Sequence, residues 1–498
     1  MSHLRVLFLT LILTLFLPVS AQKSPKREFR GVWIHTLNNE YKGMNETRFR
    51  EYLTNQLDLF RQAGINAVLF QVRPEADALY KSSYEPWSRF LTGTQGKDPG
   101  YDPMAIVIEE CHRRNMEFHA WINPYRAQLN LSTQLGAEHP YNTHPEWFFK
   151  YDNKLFFNPG LPECRKYIND IVTDIVTRYD VDGIHMDDYF YPYPVSGQEI
   201  PDQAAFAEHG APSGFDIGDW RRYNVNLLIQ ELQETIHKEK PYVKFGISPF
   251  GIYRNRKSNP EGFGSETNGL QNYDQLYADV LLWLRYGWVD YIIPQLYWEI
   301  GHKAADYETL VKWWANCSYN RPLFIGQDVD RSAKASDLQN PNTNQFPRKM
   351  QLSRAFPTIG GNCFWSGKVL LENPGNIYTA LERNYQRYPA LPPVYPATSS
   401  KAAKIKGLKP IWTEDGYMLV WKAPKLKKAS DQVRFYCIYR FTKDERVNLD
   451  DPSKLIATTQ NIYYKLPYDD GSSAYKYVVT AVDRFNSESS PKSKTVKL

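Results

Sequence analysis

The pattern with the clearest chemical potential spans residues 182–194, which read Asp-Gly-Ile-His-Met-Asp-Asp-Tyr-Phe-Tyr-Pro-Tyr-Pro. Its apolar run Gly183–Met186 predicts a buried strand, and two adjacent carboxylates, Asp187 and Asp188, follow it. Because side chains alternate along a strand, His185 and Asp187 should share one face. Carboxylates beside aromatic rings suit cleavage of a glycosidic bond, since acids transfer protons or attack and rings stack on sugars. The structural alternative is a surface loop whose aspartates cap the next turn.

Strand parity ranks the candidate catalytic acids. Asp187 is the first choice, because the alternation of side chains along the strand points it into the barrel at the tip of the strand, and Asp188 is the second. Adjacent carboxylates repel each other, so one of them can hold a raised pKa and serve as the acid. Alternatively, Asp188 orients an N-acetyl group of the substrate, which then attacks the anomeric carbon. If a second acid comes from elsewhere, Glu299 is the catalytic candidate, followed by Glu75 and Asp328, although each of these can equally form an ordinary salt bridge or cap.

Strand-like runs and helical patterns alternate up to Tyr388, which predicts parallel strands joined by crossover helices. Eight such units over about 370 residues fit a (β/α)8 TIM barrel with long insertions, whose chemistry lies at the carboxyl ends of the strands. A doubly wound sheet is the alternative, but no glycine-rich phosphate loop follows an early strand. The predicted strands are 29–35, 67–72, 117–122, 183–187, 244–248, 291–297, 323–327 and 362–365.

Polar and aromatic residues recur at the carboxyl ends of these predicted strands. Arg73 and Arg126 are candidates for binding a carboxylate or hydroxyl groups of a sugar, or for holding the acids in place. The candidate sugar platforms, each of which can instead belong to the core, are Trp121, Tyr125, Tyr189, Tyr297, Trp298 and Trp365. The other predicted substrate-binding residues are His35, Gln71, Glu75, Asn123, His185, Gln295 and Asp328. No spacing of histidine and cysteine suits a metal ion, and no cofactor is predicted.

Length and composition restrict the class of protein. The chain has 498 residues, which is enough for one large barrel and a further module. Aromatic residues make up 15% of it, a content that favours stacking ligands such as carbohydrate. The net charge of +5 is too small and too dispersed to indicate a nucleic-acid partner. Five widely spaced cysteines give no reason to predict a disulfide.

Residues 1–21 have the pattern of a secretory signal peptide. Arg5 precedes an apolar run at 6–17, and small residues before Gln22 offer a cleavage site. The run is shorter than a membrane span requires, and no later stretch reaches that length. No cysteine follows the cleavage site to carry a lipid anchor. We therefore expect a soluble periplasmic or secreted protein with no integral membrane segment after cleavage.

The character of the sequence changes after Tyr388. Residues 389–403 are rich in proline, alanine, serine and lysine and read as a linker. Residues 404–498 alternate like antiparallel strands and resemble a fibronectin type III domain, with Trp421 as the core tryptophan and Tyr477 near the tyrosine corner. The resemblance implies a spacer or accessory module. We expect the barrel, residues 28–388, to fold and act without this tail.

Residues 28–385 resemble the glycosyl-hydrolase-10-like family of bacterial envelope proteins. The motifs that carry the resemblance are Glu-Phe-Arg-Gly-Val-Trp at 28–33, Gly-Ile-Asn-Ala-Val-Leu-Phe-Gln-Val-Arg-Pro at 64–74, Ala-Trp-Ile-Asn-Pro-Tyr at 120–125, Asp-Gly-Ile-His-Met-Asp-Asp-Tyr at 182–189, Gly-Ile-Ser-Pro-Phe-Gly at 246–251 and Pro-Gln-Leu-Tyr-Trp at 294–298. The family implies a barrel glycosidase, and some members are associated with cutting peptidoglycan strands stripped of stem peptides. Many members carry a lipoprotein cysteine, which this sequence lacks.

The leading functional hypothesis is an exported glycoside hydrolase that cleaves an N-acetylated glycan, with peptide-free peptidoglycan strands as the expected polysaccharide partner. A non-catalytic glycan-binding envelope protein that has lost one acid is an alternative. A hydrolase of nutritional polysaccharides is another. A metal-dependent deacetylase would need a His/Asp cluster, and the ten histidines do not form one in the sequence.

Overall fold

The computed structural model describes residues 24–210, 214–259, 261–395, 402–426 and 428–498. It contains a closed barrel of eight parallel strands with helices between them, followed by antiparallel sheets. The predicted fold class, a (β/α)8 barrel with a small all-β region after it, is confirmed. The predicted signal peptide lies outside the described residues. Among those that are described, no helix combines the length and apolarity needed to cross a membrane.

The eight barrel strands pair in chain order, and the eighth closes on the first. They are Phe29–Ile34, Ala67–Arg73, Glu117–Ile122, Gly183–Met186, Lys244–Ile247, Tyr291–Ile292, Leu323–Asp328 and Ile359–Trp365. The α-helices of this region are Glu46–Gln62, Arg89–Thr92, Pro103–Arg113, Pro162–Arg178, Gln203–His209, Ile217–Glu239, Asn272–Gln275, Val280–Tyr286, Tyr307–Asn316, Val329–Lys334, Phe346–Ala355, Gly367–Leu371 and Ile377–Ala380.

Alternation along the strands divides the apolar residues between two cores. Outward-facing residues such as Val68 and Ile184 pack against the surrounding helices. Inward-facing residues fill the barrel itself, where the rings of Phe29 and Phe324 stack with their centroids 4.1 Å apart. The barrel is therefore packed below its upper end, and its ligand must bind at the strand ends.

The sixth strand departs from the sequence prediction, which extended it from residue 291 to residue 297. The observed strand is only Tyr291–Ile292, because Pro294 has no N–H group to donate to a neighbouring strand. Gln295 still forms isolated bridges to Phe250 on one side and Gly326 on the other. The segment after Pro294 therefore stays between the fifth and seventh strands while leaving regular strand geometry.

A three-stranded antiparallel sheet that the sequence did not predict is inserted after the third barrel strand. Its strands are Arg126–Gln128, Lys154–Phe157 and Phe148–Tyr151, in that spatial order. The sheet brings the ring of Phe157 to 5.6 Å from the guanidinium of Arg73. Arg73 has no exposed surface as a result of such packing.

The tail forms two antiparallel sheets that share one apolar core. One sheet contains Lys406–Thr413, Gly416–Lys422 and Tyr463–Lys465; the other contains Leu455–Thr459, Val433–Thr442, Ala474–Asp483 and Lys492–Lys497. Trp421 from the first sheet and Tyr477 from the second are both buried in the shared core, as expected from the sequence. The assignment of this region to the fibronectin type III class stays a prediction.

The tail docks against the end of the barrel where the strands begin. Arg434 Nη1 lies 3.2 Å from Oε1 of Glu117, the first residue of the third strand. Asn486 Nδ2 donates a hydrogen bond to the same oxygen at 2.9 Å, and Arg484 pairs with Asp180 at 2.7 Å. Glu117, Arg434 and Asn486 are all buried. These contacts make the tail part of the base of the barrel, in contrast to the separate accessory module that the sequence suggests.

The described part of the predicted linker, residues 389–403, also contacts the barrel. The backbone of Leu391 accepts a hydrogen bond from Glu28 at 3.0 Å and donates one to Lys26 at 2.9 Å. Tyr395 is buried with the inward-facing residues of the barrel. Residues 396–401 lie outside the described part of the chain. The first half of the predicted linker thus packs against the barrel.

Candidate active site

The carboxyl ends of the barrel strands enclose a cavity of about 360 Å³ whose lining combines two acids with aromatic rings. The lining residues are Trp33, Trp121, Asp187, Asp188, Tyr189, Tyr193, Ser248, Phe250, Gln295, Tyr297, Trp298, Arg331 and Trp365. The predicted site residues among them are Trp121, Asp187, Asp188, Tyr189, Gln295, Tyr297, Trp298 and Trp365. Strands that are distant in sequence therefore bring the predicted acids and several predicted platforms together at one end of the barrel.

Asp187 is surrounded by groups that stabilise its ionised form. Its Oδ2 accepts a hydrogen bond from the indole of Trp121 at 3.2 Å, and both of its oxygens lie 3.1 Å from Nδ2 of Asn123. Burial raises the pKa of Asp187, while the guanidinium of Arg126 and these hydrogen bonds act in the opposite direction. Of the two acids, Asp187 is consequently the better candidate for the anionic role.

Asp188 has the properties expected of a proton donor near neutral pH. Its Oδ1 accepts a hydrogen bond from Gln295 Nε2 at 3.0 Å, and its Oδ2 accepts one from the hydroxyl of Tyr193. Burial, and then the neighbouring charge of Asp187, raise the pKa of Asp188 to about 7. A carboxylic acid with such a pKa is still partly protonated at neutrality, which suits general acid catalysis.

Four aromatic rings, those of Trp33, Trp121, Tyr297 and Trp365, line the space beside the acids, and Trp365 is a neighbour of each of the other three. Its ring centroid is 6.4 Å from that of Trp33, 6.1 Å from that of Trp121 and 6.4 Å from that of Tyr297. The rings of Tyr297 and Trp365 are nearly parallel, with an interplanar angle of 22°. The ring of His35 is tilted against that of Trp365, with centroids 5.0 Å apart, and does not line the cavity. The rings give the cavity apolar walls of the kind that pack against sugar rings.

A chain of buried hydrogen bonds runs from the cavity down the inside of the barrel. Trp33 Nε1 lies 3.2 Å from His185 Nε2, and His185 Nδ1 lies 3.1 Å from the hydroxyl of Tyr291. That hydroxyl is 2.8 Å from His119 Nδ1, and His119 Nε2 is 3.2 Å from Glu117. Burial lowers the pKa of His185 well below its usual value. His185 is therefore a neutral, hydrogen-bonded residue beneath the cavity and does not line it, although the sequence predicts that it binds substrate.

Neither arginine predicted to bind substrate lines the cavity. Arg73 forms a two-point ion pair with Glu85, at 2.8 and 2.6 Å, and also donates to the backbone carbonyl of Asn123. The guanidinium of Arg126 lies 5.4 Å from the ring centroid of Tyr189, and the residue is only 6% exposed. The backbone N–H of Arg126 donates to the Asn123 side chain at 2.8 Å. The side chain of Arg73 and the backbone of Arg126 thus hold the segment that positions Asn123 against Asp187.

The acids proposed from other strands also lie outside the lining. Glu75 pairs with Arg89 at 2.8 Å, and the side chain of Asp328 caps the helix that follows the seventh strand. Glu299 interacts electrostatically with Lys349. The parity argument for Glu299 fails because it was counted along a sixth strand that in fact ends at residue 292. The two adjacent aspartates remain as the acids of the cavity.

The other predicted residues that do not reach the cavity are held by neighbours in the barrel. Gln71 accepts a hydrogen bond from the backbone of Thr36 at 3.0 Å, and Tyr125 is fully buried in the core. Asn123 contacts Asp187 from behind the lining. Among the described residues, no three or more His, Cys, Asp and Glu side chains are grouped so as to hold a metal ion.

Trp33, Tyr193 and Arg331 line the cavity but are not among the site residues predicted from the sequence, which places Ser248 and Phe250 at the carboxyl end of the fifth strand without giving them a role. A signal was available for Trp33, which has the same parity as Phe29 on the first strand and so faces inward. Ser248 and Phe250 directly follow the fifth strand. Arg331 gave no local signal, because it lies on the helix Val329–Lys334 and reaches the cavity only through the path of the chain after the seventh strand.

A (β/α)8 barrel with paired acids and aromatic walls at its strand ends defines a class, that of barrel enzymes acting on carbohydrate. The chain belongs to the glycosyl hydrolase-like 10 family, whose model matches residues 28–343. It is 40% identical to the glycosyl hydrolase YngK of Bacillus subtilis (strain 168) over 495 residues, which cover 96% of this chain and 95% of that protein. It is 34% identical to the glycosyl hydrolase DigH of Escherichia coli (strain K12) over 372 residues, 69% of this chain and 84% of that one. The resemblance seen in the motifs is confirmed, and the protein is a glycoside hydrolase.

Proposed function

We propose that the protein is an exported glycoside hydrolase that cleaves peptidoglycan glycan strands from which the stem peptides have been removed. The observation that carries the proposal is the pair Asp187 and Asp188 in an aromatic-walled cavity, where the two acids have different environments. Burial raises the pKa of both acids. At Asp187 the guanidinium of Arg126 and the hydrogen-bond donors oppose this rise, whereas at Asp188 the charge of Asp187 adds to it and brings the pKa to about 7. Acids whose pKa values are pushed apart divide naturally into an acid and an anion.

Asp188 then acts as the general acid. Its proton passes to the glycosidic oxygen as the bond from that oxygen to the anomeric carbon breaks. The side chains of Gln295 and Tyr193 hold the carboxyl group in place for the transfer. Positive charge develops on the reacting sugar, and Asp187 stabilises it at close range. Water then adds to the anomeric carbon and gives up a proton to the carboxylate of Asp188, which restores the general acid.

The walls of the cavity support an N-acetylated sugar as the substrate. Trp33, Trp121 and Trp365 present apolar surface beside Asp187, which matches the methyl group of an acetamido substituent. The amide N–H of the same substituent can donate a hydrogen bond to the carboxylate of Asp187. A sugar with a bare hydroxyl at that position fills less of this apolar space.

Export is supported by the sequence of residues 1–21, which has the basic, apolar and small-residue regions of a signal peptide. A protein with such a leader meets its glycan in the periplasm or beyond the cell. Peptidoglycan is the acetamido polymer of that location. Stem peptides would crowd a cavity of this size, and for this reason we propose peptide-free strands as the preferred form.

The test is release of soluble oligosaccharides from purified peptidoglycan before and after amidase treatment, with cellulose and xylan as controls. We expect release only after amidase treatment, and no release by an Asp187→Asn variant. Equal or greater cleavage of a polymer without N-acetyl groups would instead assign the enzyme to nutritional polysaccharides. Fractionation of producing cells tests export directly, since a cytoplasmic protein of unprocessed length would contradict it.

A further inference from the structure

We infer that Arg331 recognises a carboxylate group on the bound glycan and makes the enzyme selective for a carboxylated sugar over its neutral counterpart. The inference rests on the proposed function, in which this group is the lactyl carboxylate of an N-acetylmuramic acid unit. It reassigns the recognition of that carboxylate, because neither of the two arginines predicted from the sequence lines the cavity, whereas Arg331 does.

The position of Arg331 suits this role. It lines the cavity from the helix Val329–Lys334, and its side chain is 55% exposed. Its nearest acidic partner is Asp328, at 3.8 Å, a distance too long for a hydrogen bond. Within the described part of the chain, no residue accepts a hydrogen bond from its guanidinium, so its donors are available to a ligand. Arg73, in contrast, is fully buried against Glu85.

The charge balance of the cavity gives a second argument. The carboxylate of Asp187 repels an anionic substrate, so a carboxylated glycan needs a compensating cation at the site. Among the described residues that line the cavity, Arg331 supplies that positive charge. A guanidinium can bind a carboxylate through two parallel hydrogen bonds, which a lysine ammonium cannot reproduce. The exposed position of Arg331 lets the carboxylate bind while the acid pair faces the bond to be cut.

Binding experiments can separate this role from catalysis. Oligosaccharides from peptide-free peptidoglycan, with the lactyl carboxyl either free or methyl-esterified, are titrated into an Asp187→Asn variant that prevents turnover. Quenching of the cavity tryptophans reports the Kd. We expect the free acid to bind at least about tenfold more tightly than the ester, the contribution of a charge-assisted hydrogen bond. Adding Arg331→Gln should remove this difference between the free acid and the ester, and Arg331→Lys should restore part of it.

A matched control is Lys334→Gln, which removes one positive charge from the same helix at a residue that does not line the cavity. It should keep the full preference for the free acid. The same preference in the Arg331→Gln variant, or no preference in the parent protein, would overturn the inference. Oligouronates form a second arm. If they show the Arg331-dependent preference and muramic acid oligosaccharides do not bind, carboxylate recognition stands and the proposed peptidoglycan substrate fails.

Discussion

The indole nitrogen of Trp33 lies 3.2 Å from Nε2 of His185, and this contact fixes the direction of the hydrogen bonds below it. An indole N–H can only donate, so His185 Nε2 accepts and the neutral ring carries its proton on Nδ1. That proton is donated to the oxygen of Tyr291, whose hydroxyl donates to His119 Nδ1. His119 Nε2 then donates to Glu117, a carboxylate that only accepts. The indole N–H of Trp33 at one end of the chain and the carboxylate of Glu117 at the other end therefore determine which nitrogen of His185 and of His119 carries the proton.

We predict that Tyr291→Phe destabilises the protein without a comparable loss of kcat. The substitution leaves one nitrogen of each imidazole without its partner, at a cost of about 1–3 kcal/mol for each buried group. Urea unfolding measures the loss, with Tyr286→Phe, at a residue that is 60% exposed, as the control. Nitrogen NMR of the two histidines gives a direct check, and a proton on His185 Nε2 would contradict the assigned direction.

Asp187→Asn is predicted to abolish glycan cleavage and leave the fold intact. The amide is nearly the same size as the carboxyl group but has no charge, and loss of such a group costs about two to four orders of magnitude in rate. Rates on peptide-free strands and thermal unfolding provide the two readouts. Asp330→Asn, at an exposed acid outside the lining, should be neutral in both. A near-normal rate in the Asp187 variant would exclude this residue from the mechanism.

The dependence of kcat/KM on pH should be bell-shaped, with its alkaline limb near the pKa of Asp188, about 7. A general acid works only in its protonated form, so activity is lost as pH rises through that value. On the acid side, activity is lost as Asp187 becomes protonated. The hydroxyl of Tyr193 lowers the pKa of Asp188, so Tyr193→Phe should move the alkaline limb to higher pH. Tyr223→Phe, at an exposed tyrosine, serves as the control, and a shift to lower pH would contradict the assignment.

Arg434→Ala is predicted to destabilise the whole chain, by about 2–5 kcal/mol, because it removes one partner of a buried charge pair at an interface. Glu117 would remain buried, with Lys244 at 2.7 Å as its main cationic partner. Differential scanning calorimetry of the full chain measures the effect, and Arg446→Ala, at an exposed site, controls for the loss of charge.

Truncation after Tyr388 should give an insoluble or poorly active barrel for the same reason. The sequence predicts the opposite outcome, a barrel that folds and acts alone. The contacts of the tail with Glu117 and Asp180 are the reason for expecting this loss. A soluble truncated protein with the parent's thermal stability would show that these contacts contribute little.

The parts of the site that sequence reasoning predicted follow from local rules. Alternation along the fourth strand predicts Asp187, and the last residues of the third and eighth strands include Trp121 and Trp365. The parts it missed depend on long-range packing. The inserted sheet that covers Arg73 and the helix that carries Arg331 have no signature in the residues concerned. The docking of the tail also depends on long-range packing, since Arg434 and Glu117 are in contact although they lie 317 residues apart in the sequence.

Because Asp187 and Asp188 are consecutive, one stretch of backbone carries both acids. Their Cα atoms stay about 3.8 Å apart through any deformation of the barrel, since a trans peptide fixes that spacing. In enzymes that take the two acids from different strands, shear between the strands changes their separation. Here shear moves only the surrounding walls, such as Gln295 and Trp365, relative to the acids. Substitutions in those walls can therefore change which glycan fits while the spacing between the two acids stays the same.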